Sequence, residues 1–164
     1  MENDFVHLLK AKMHEIDSEI EVLFENIAAF ETDYEKYDLT LLNKFCDADL
    51  LIIRISENVP FKKGMKKKFF KSLDLLLDYL TPSKKTEVVM GEGFWKTDVN
   101  ILLIEYTDKR SIPFVLAEDL LIDDESNAAF GLFEDDGVAR HPSDKGMRNI
   151  ADRIWKSISV YFVH

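Results

Sequence analysis

The sequence has a single cysteine, Cys46, among its 164 residues. A lone thiol excludes an intrachain disulfide and any multi-cysteine metal site. Cys46 lies in an apolar helical pattern and reads as core. Apolar runs of membrane-spanning length are missing too, and the acidic start Met1-Glu2-Asn3-Asp4 is not a signal peptide. The expectation is a soluble, unexported protein, cytoplasmic as written, with no membrane partner. Positive charge is in deficit: 21 Lys and Arg stand against 31 Asp and Glu, for a formal net charge of -10. Phosphate contacts need a positive surface, so this balance argues against a general nucleic-acid binder. Internal repeats and low-complexity linkers are also absent.

What is present is an ordinary globular composition. A hydrophobic content of 46% excludes a disordered polyelectrolyte, and the length suits one domain, residues 1–164, with its own core.

Periodicity along the chain predicts alternating elements. Phe5, Leu8, Leu9 and Met13 mark one face of a first helix, Asp4 to Ile16, with Asn3 or Asp4 as its cap. Ile20, Val22 and Phe24 alternate as in a strand, Glu19 to Phe24. A short helix is expected around Leu39 to Phe45, and a buried-type strand over Leu50 to Ile55. Met65, Phe69, Phe70, Leu73, Leu76, Leu77 and Leu80 recur at helical spacing from Lys62 to Leu80, where Pro82 stops the pattern. Glu87 to Met90 reads as a strand, Asp98 to Lys109 as a helix, and Ile112 to Ala117 as a last strand whose Pro113 suits an edge. Residues Glu118 to Arg140 lack a clear period and suggest an irregular functional loop with one helical turn near Asn127 to Leu132. A terminal helix is expected from Lys145 to Ser159, with Val160 to Val163 extending it or forming a short strand. This alternation implies an α/β fold with a parallel sheet covered on both faces and functional groups at the carboxyl ends of the strands.

Two stretches carry the chemistry. Gly137 to Met147 parks His141 immediately before the terminal helix: Pro142 sets the approach, Ser143 or Asp144 caps, and Ile150, Ala151, Ile154, Trp155 and Ile158 define the helical face. The strand Leu50 to Ile55 runs into a polar turn, Ser56-Glu57-Asn58-Val59. Taken singly, Asn58 reads as a turn residue and His141 as a structural histidine.

Together with the Ile150-Ala151 pair and the strand-helix alternation, the two stretches resemble the SGNH, or GDSL-type, hydrolases, a family of esterases. The resemblance implies a flavodoxin-like three-layer sandwich with a mainly parallel sheet. It implies that Asn58 helps to form an oxyanion hole, that His141 is the general base, and that a backbone amide in Asn26-Ile27-Ala28, that of Ala28, is a second oxyanion donor. Acyl transfer needs these types, because an oxyanion must meet preorganised donors and a serine hydroxyl attacks only when a base takes its proton. The implied chemistry is serine-dependent hydrolysis of a small-molecule or carbohydrate ester, with no cofactor.

The chain departs from the family pattern in several places. Ser56 stands where the family has glycine, which alters the demands on that turn. Val138 stands where the acid three positions before the histidine belongs, and neither Asp135 nor Asp136 has the usual spacing. The strand ending in Gly-Asp-Ser or Gly-Asn-Ser, which carries the nucleophile, has no counterpart, because the chain is already at its first helix by Asp4. The expectation is therefore a domain truncated at its start and inactive as this chain. Losing that strand exposes two sheet edges. Four repairs stay open: direct pairing of the flanking strands, a strand donated in a homo-oligomer, movement of the Val160–Val163 tail, or a longer natural protein. Whether the chain is an enzyme stays equally open, the alternative being a non-catalytic ligand- or partner-binding domain that keeps the pocket.

Other features are weighed the same way. Lys62, Lys63, Lys66, Lys67, Lys68 and Lys71 read as a solvated face. Phe94 and Trp95, after a glycine-rich turn, line a substrate pocket or pack in the core. Glu57 assists at the site or pairs with a nearby cation. His7 and His14 have no clustered ligands, so no metal site is expected.

Overall fold

The structure is a computed structural model that describes residues 4–162; the Asn3 cap and the Val163 end of the tail lie outside those residues. Its helices are α1 (Phe5–Ile16), α2 (Ala28–Thr32), α3 (Lys66–Leu80), α4 (Asp98–Asp108), α5 (Asp119–Asp123), α6 (Asp136–Ala139) and α7 (Asp144–Ile158). The strands are β1 (Leu50–Arg54), β2 (Glu87–Gly91) and β3 (Phe114–Val115), and short 3-10 turns occupy Leu39–Phe45, Glu125–Asn127 and Ser159–Phe162. The fold class is α/β, as the alternation predicts, with a small parallel sheet and a layout consistent with a flavodoxin-like arrangement. None of the helices among the described residues is long and apolar enough to cross a membrane.

The chain gathers into two compact units. One comprises Met1–Phe24, Gly93–Lys96 and Val115–His164, and the other Glu25–Glu92 and Thr97–Phe114.

The second unit holds the sheet core. The strands lie in the order β1-β2-β3, and β1 pairs with β2 in parallel from Leu50 opposite Glu87 to Arg54 opposite Gly91. A buried cluster packs around them: Ile53 and Met90 from the strands, Phe69, Leu73 and Leu76 from α3, and Val99, Leu103 and Tyr106 from α4. Helix α3 begins at Lys66 rather than Lys62, because Gly64 turns the chain with φ +83° just before it. Its lysines are solvated and paired, Lys66 with Glu105 at 2.5 Å and Lys68 with Glu35 at 3.0 Å. The last strand is shorter than expected. Pro113 lacks an N–H, and it serves the edge of the sheet through its carbonyl, which accepts from Met90 N at 3.0 Å.

The first unit is helical. Asp4 caps α1 by accepting from Val6 N and His7 N, each at 3.0 Å, and Leu9 and Met13 are buried. The strand expected over Glu19–Phe24 does not form. The segment makes no ladder: it opens on a turn in which Ile20 N donates to the Asp17 carbonyl at 3.3 Å, and it is tied back to α1 by His14 Nε2 and the Ile20 carbonyl, 3.0 Å apart, and by an edge contact between His7 and Phe24. Alternation alone selects an extended backbone, and a strand also needs a neighbour to pair with. Among the described residues β1 is accordingly an edge strand.

The irregular segment is more structured than its sequence suggests, and its helical turn is displaced. Residues Asn127 to Leu132 form the end of a 3-10 turn, a bridge residue and a turn closed by Leu132 N donating to the Ala129 carbonyl at 3.1 Å, while helix occurs before and after them in α5 and α6. Asn127, 3% exposed, explains the order. Its Nδ2 donates to the Leu120 and Asp124 carbonyls, its Oδ1 accepts from Asn149 Nδ2, and its carbonyl accepts from Ser143 N. Helix α5 is further joined to α7 by Arg153, which forks onto Asp119.

Candidate functional site

The Asn58 turn belongs to the sheet unit and begins where β1 ends. Ile55 N donates to the Gly91 carbonyl at 3.2 Å, which prolongs the pairing, and Val59 N closes the turn onto the Ser56 carbonyl at 3.4 Å. Ser56 is buried and is not among the residues with positive φ, so this backbone path does not require the family's glycine. Asn58 is exposed.

What holds the turn is a residue that pattern reading does not single out. Glu31, on α2 and only 6% exposed, accepts from Ser56 N at 2.6 Å through Oε1 and from Asn58 Nδ2 at 2.7 Å through Oε2. Helix α2 starts at Ala28, so the loop named for a second oxyanion donor and the Asn58 turn are joined by this one carboxylate. The Ala28 amide itself is engaged: it donates to Asn26 Oδ1 at 2.9 Å, in an Asx turn that starts the helix.

Charge is concentrated around the turn. Arg54, the last residue of β1, donates from Nε to the Glu92 carbonyl at 2.9 Å, and Glu92 is fully buried. Burial pulls the Arg54 guanidinium below its ordinary pKa, and the carboxylates of Glu57, Glu92 and Glu31 oppose that shift. Glu57 thus acts on a neighbouring cation. Two local signals mark the cluster in the sequence: a lone arginine ends an apolar strand, and Glu92 follows the last residue of β2. Glu31 leaves no comparable trace, since it becomes relevant only when α2 folds against the strand end.

Comparison with protein-family models and with curated proteins gives no match for this chain.

His141 belongs to the helical unit. Ser143 is the cap of α7: its Oγ accepts from Gly146 N at 3.2 Å and donates to the Ser126 carbonyl at 2.7 Å. The residues before it are pinned on both sides, with His141 N donating to the Val138 carbonyl and the His141 carbonyl accepting from Ala129 N. Gly146 permits this packing, because a Cβ there would stand 2.0 Å from the Asn127 carbonyl oxygen. The imidazole is exposed and lies edge-on to Trp95, with ring centroids 5.0 Å apart. Trp95 is itself fixed by its Nε1, which donates to the Arg140 carbonyl at 3.1 Å. Phe94 is buried and meets Trp95 edge-on, so of the aromatic pair Phe94 packs in the core and Trp95 shelves the histidine.

Among the described residues no carboxylate pairs with the His141 ring. Asp135 is consumed as the cap of α6, where its side chain accepts from Val138 N at 3.0 Å. No group of three or more His, Cys, Asp or Glu side chains among the described residues is arranged to hold a metal ion.

Proposed function

We propose that the chain is an SGNH/GDSL-like hydrolase domain whose lineage chemistry is serine-dependent hydrolysis of small or carbohydrate esters. The observation that carries this reading is the Asn58 turn: an exposed carboxamide directly after a parallel strand, held by a buried carboxylate. Asn58 Nδ2 has two hydrogens, and the one not given to Glu31 is the donor for a developing oxyanion. His141 is the base: its ring is exposed and its backbone is pinned. The 164 residues contain no Gly-Asp-Ser or Gly-Asn-Ser, the block that carries the family's nucleophile. An assay of the purified chain with a chromogenic acetate ester is expected to give no turnover that depends on His141. Clear activity that disappears in His141→Ala would contradict the inactive reading.

A second reading, a non-catalytic domain that retains a pocket for an ester or a partner segment, is favoured by the internal engagement of the Ala28 amide and by the use of Asp135 as the cap of α6. Calorimetric screening of acetylated sugars against the chain, repeated with Trp95→Ala, tests it. Ligands whose binding is indifferent to Trp95 would count against it.

A further inference from the structure

The geometry points to Glu31 as a positioning residue that selects which end of the Asn58 carboxamide faces an acyl oxygen; this role rests on the hydrolase-like reading above. An exposed asparagine at a turn has two nearly isosteric ends, NH2 and C=O, which exchange by rotation about the last side-chain torsion. Only the NH2 end can serve an oxyanion. A carboxylate accepts hydrogen bonds and cannot donate them, so a buried Glu31 with Oε2 at 2.7 Å from Nδ2 admits the NH2 end and repels the carbonyl end. One hydrogen is held by Glu31, and the other points away from it in a fixed direction.

The second oxygen fixes the carboxylate itself. Oε1 takes the Ser56 amide at 2.6 Å, so both oxygens are committed and the Glu31 side chain has no rotation left that keeps both bonds. The same group therefore sets the backbone of the turn and the side chain that leaves it. A negative charge near a developing oxyanion is unfavourable unless it is covered. Here it faces two N–H donors and lies within the field of the Arg54 guanidinium.

Glutamine at this position discriminates between acceptor count and simple volume. Glu31→Gln keeps the shape but offers one good acceptor oxygen for two donors, so either Ser56 N or Asn58 Nδ2 loses its partner.

Two NMR observations on the full chain test the proposal. In the wild type, through-hydrogen-bond couplings are expected from Ser56 N and Asn58 Nδ2 to the Glu31 carboxyl carbon. On titration with a mono-acetylated glucose, the free Asn58 amide proton is expected to shift while the Glu31-bound proton keeps its coupling. In Glu31→Gln the affinity for the same ester is expected to fall at least 10-fold, with the β1–β2 amide resonances unchanged. Loss of the Asn58–Glu31 coupling when the ester binds would overturn the positioning role, as would unchanged affinity in the variant. An ester that shifts neither Asn58 proton in the wild type would remove the hydrolase-like reading, and this proposal with it. If the variant fails to fold, the wild-type titration decides alone.

Discussion

Gly146→Ala is the sharpest perturbation of the turn that carries His141, because two principles give it opposite signs. Gly146 lies in the first turn of α7, its φ is not positive, and alanine in a helix is ordinarily favoured over glycine by about 1 kcal/mol. Here the added Cβ would meet Asn127 O at 2.0 Å, Asn127 C at 3.0 Å and Pro142 Cβ at 3.1 Å. The nearest obstacle is backbone, so relief requires moving α7 from the 3-10 turn or displacing Asn127. Overpacking of this kind costs about 1–3 kcal/mol. Displacing Asn127 also weakens the bond from Ser143 N to its carbonyl, 2.8 Å, and the buried bonds of its side chain, at about 1–3 kcal/mol for a donor or acceptor left unsatisfied. With the propensity gain subtracted, the net destabilisation is roughly 1–5 kcal/mol. Urea unfolding followed by far-UV circular dichroism is the assay. With a slope near ~2 kcal/mol/M, the midpoint should fall by about 0.5–2.5 M at unchanged slope. A variant as stable as the parent, or more stable, would refute the close approach on which the description of the His141 turn depends.

The other expectations are simpler. Glu31→Ala strips the buried Ser56 amide of its acceptor and should cost about 1–3 kcal/mol in urea unfolding; a neutral effect would mean that water replaces the carboxylate freely. Asp124 is held down to about 2 by its hydrogen bonds with Lys145 and Ser126, so its contribution to stability is present above the ordinary value near ~4 and is lost as pH falls from there toward about 2. Carboxyl NMR should find this midpoint low and find it raised in Lys145→Met. The Tyr106 phenol is pushed up by burial and by its bond to Asp74, which favours the neutral ring; stability from it is complete below the unfolded value near ~10 and declines as pH rises beyond. Ultraviolet titration should therefore detect the Tyr106 phenolate only well above the ordinary tyrosine range or together with unfolding.

The elements with strong periodicity were legible before folding. Leu73, Leu76 and Leu80 of α3 and Ile150, Ile154 and Ile158 of α7 are buried at the spacing that their sequence displays. Segments that depend on a partner were not. Glu19–Phe24 alternates correctly and still forms no strand, because β pairing is a property of two segments. The order of residues 119–143 rests on Asn127, whose polar side chain satisfies carbonyls seven and three residues away in sequence as well as Asn149. Composition alone makes such a residue look like loop. Asn58 and His141 are candidates on their sequence neighbours alone, whereas the Glu31 contacts have no such signal: they come from helix α2 reaching residues 25 and 27 positions away. Long-range polar contacts of this kind have no period to read.

The central claim is that the Asn58 turn presents a fixed N–H donor to an ester oxygen. Isothermal titration of the intact chain with a mono-acetylated glucose, compared with Asn58→Ala, tests it most directly. The account predicts saturable binding in the parent that is lost in the variant, while the variant still unfolds cooperatively in urea and is less stable by about 1–3 kcal/mol, because buried Glu31 Oε2 loses its donor. Equal binding by both proteins, or none by the parent, would contradict it.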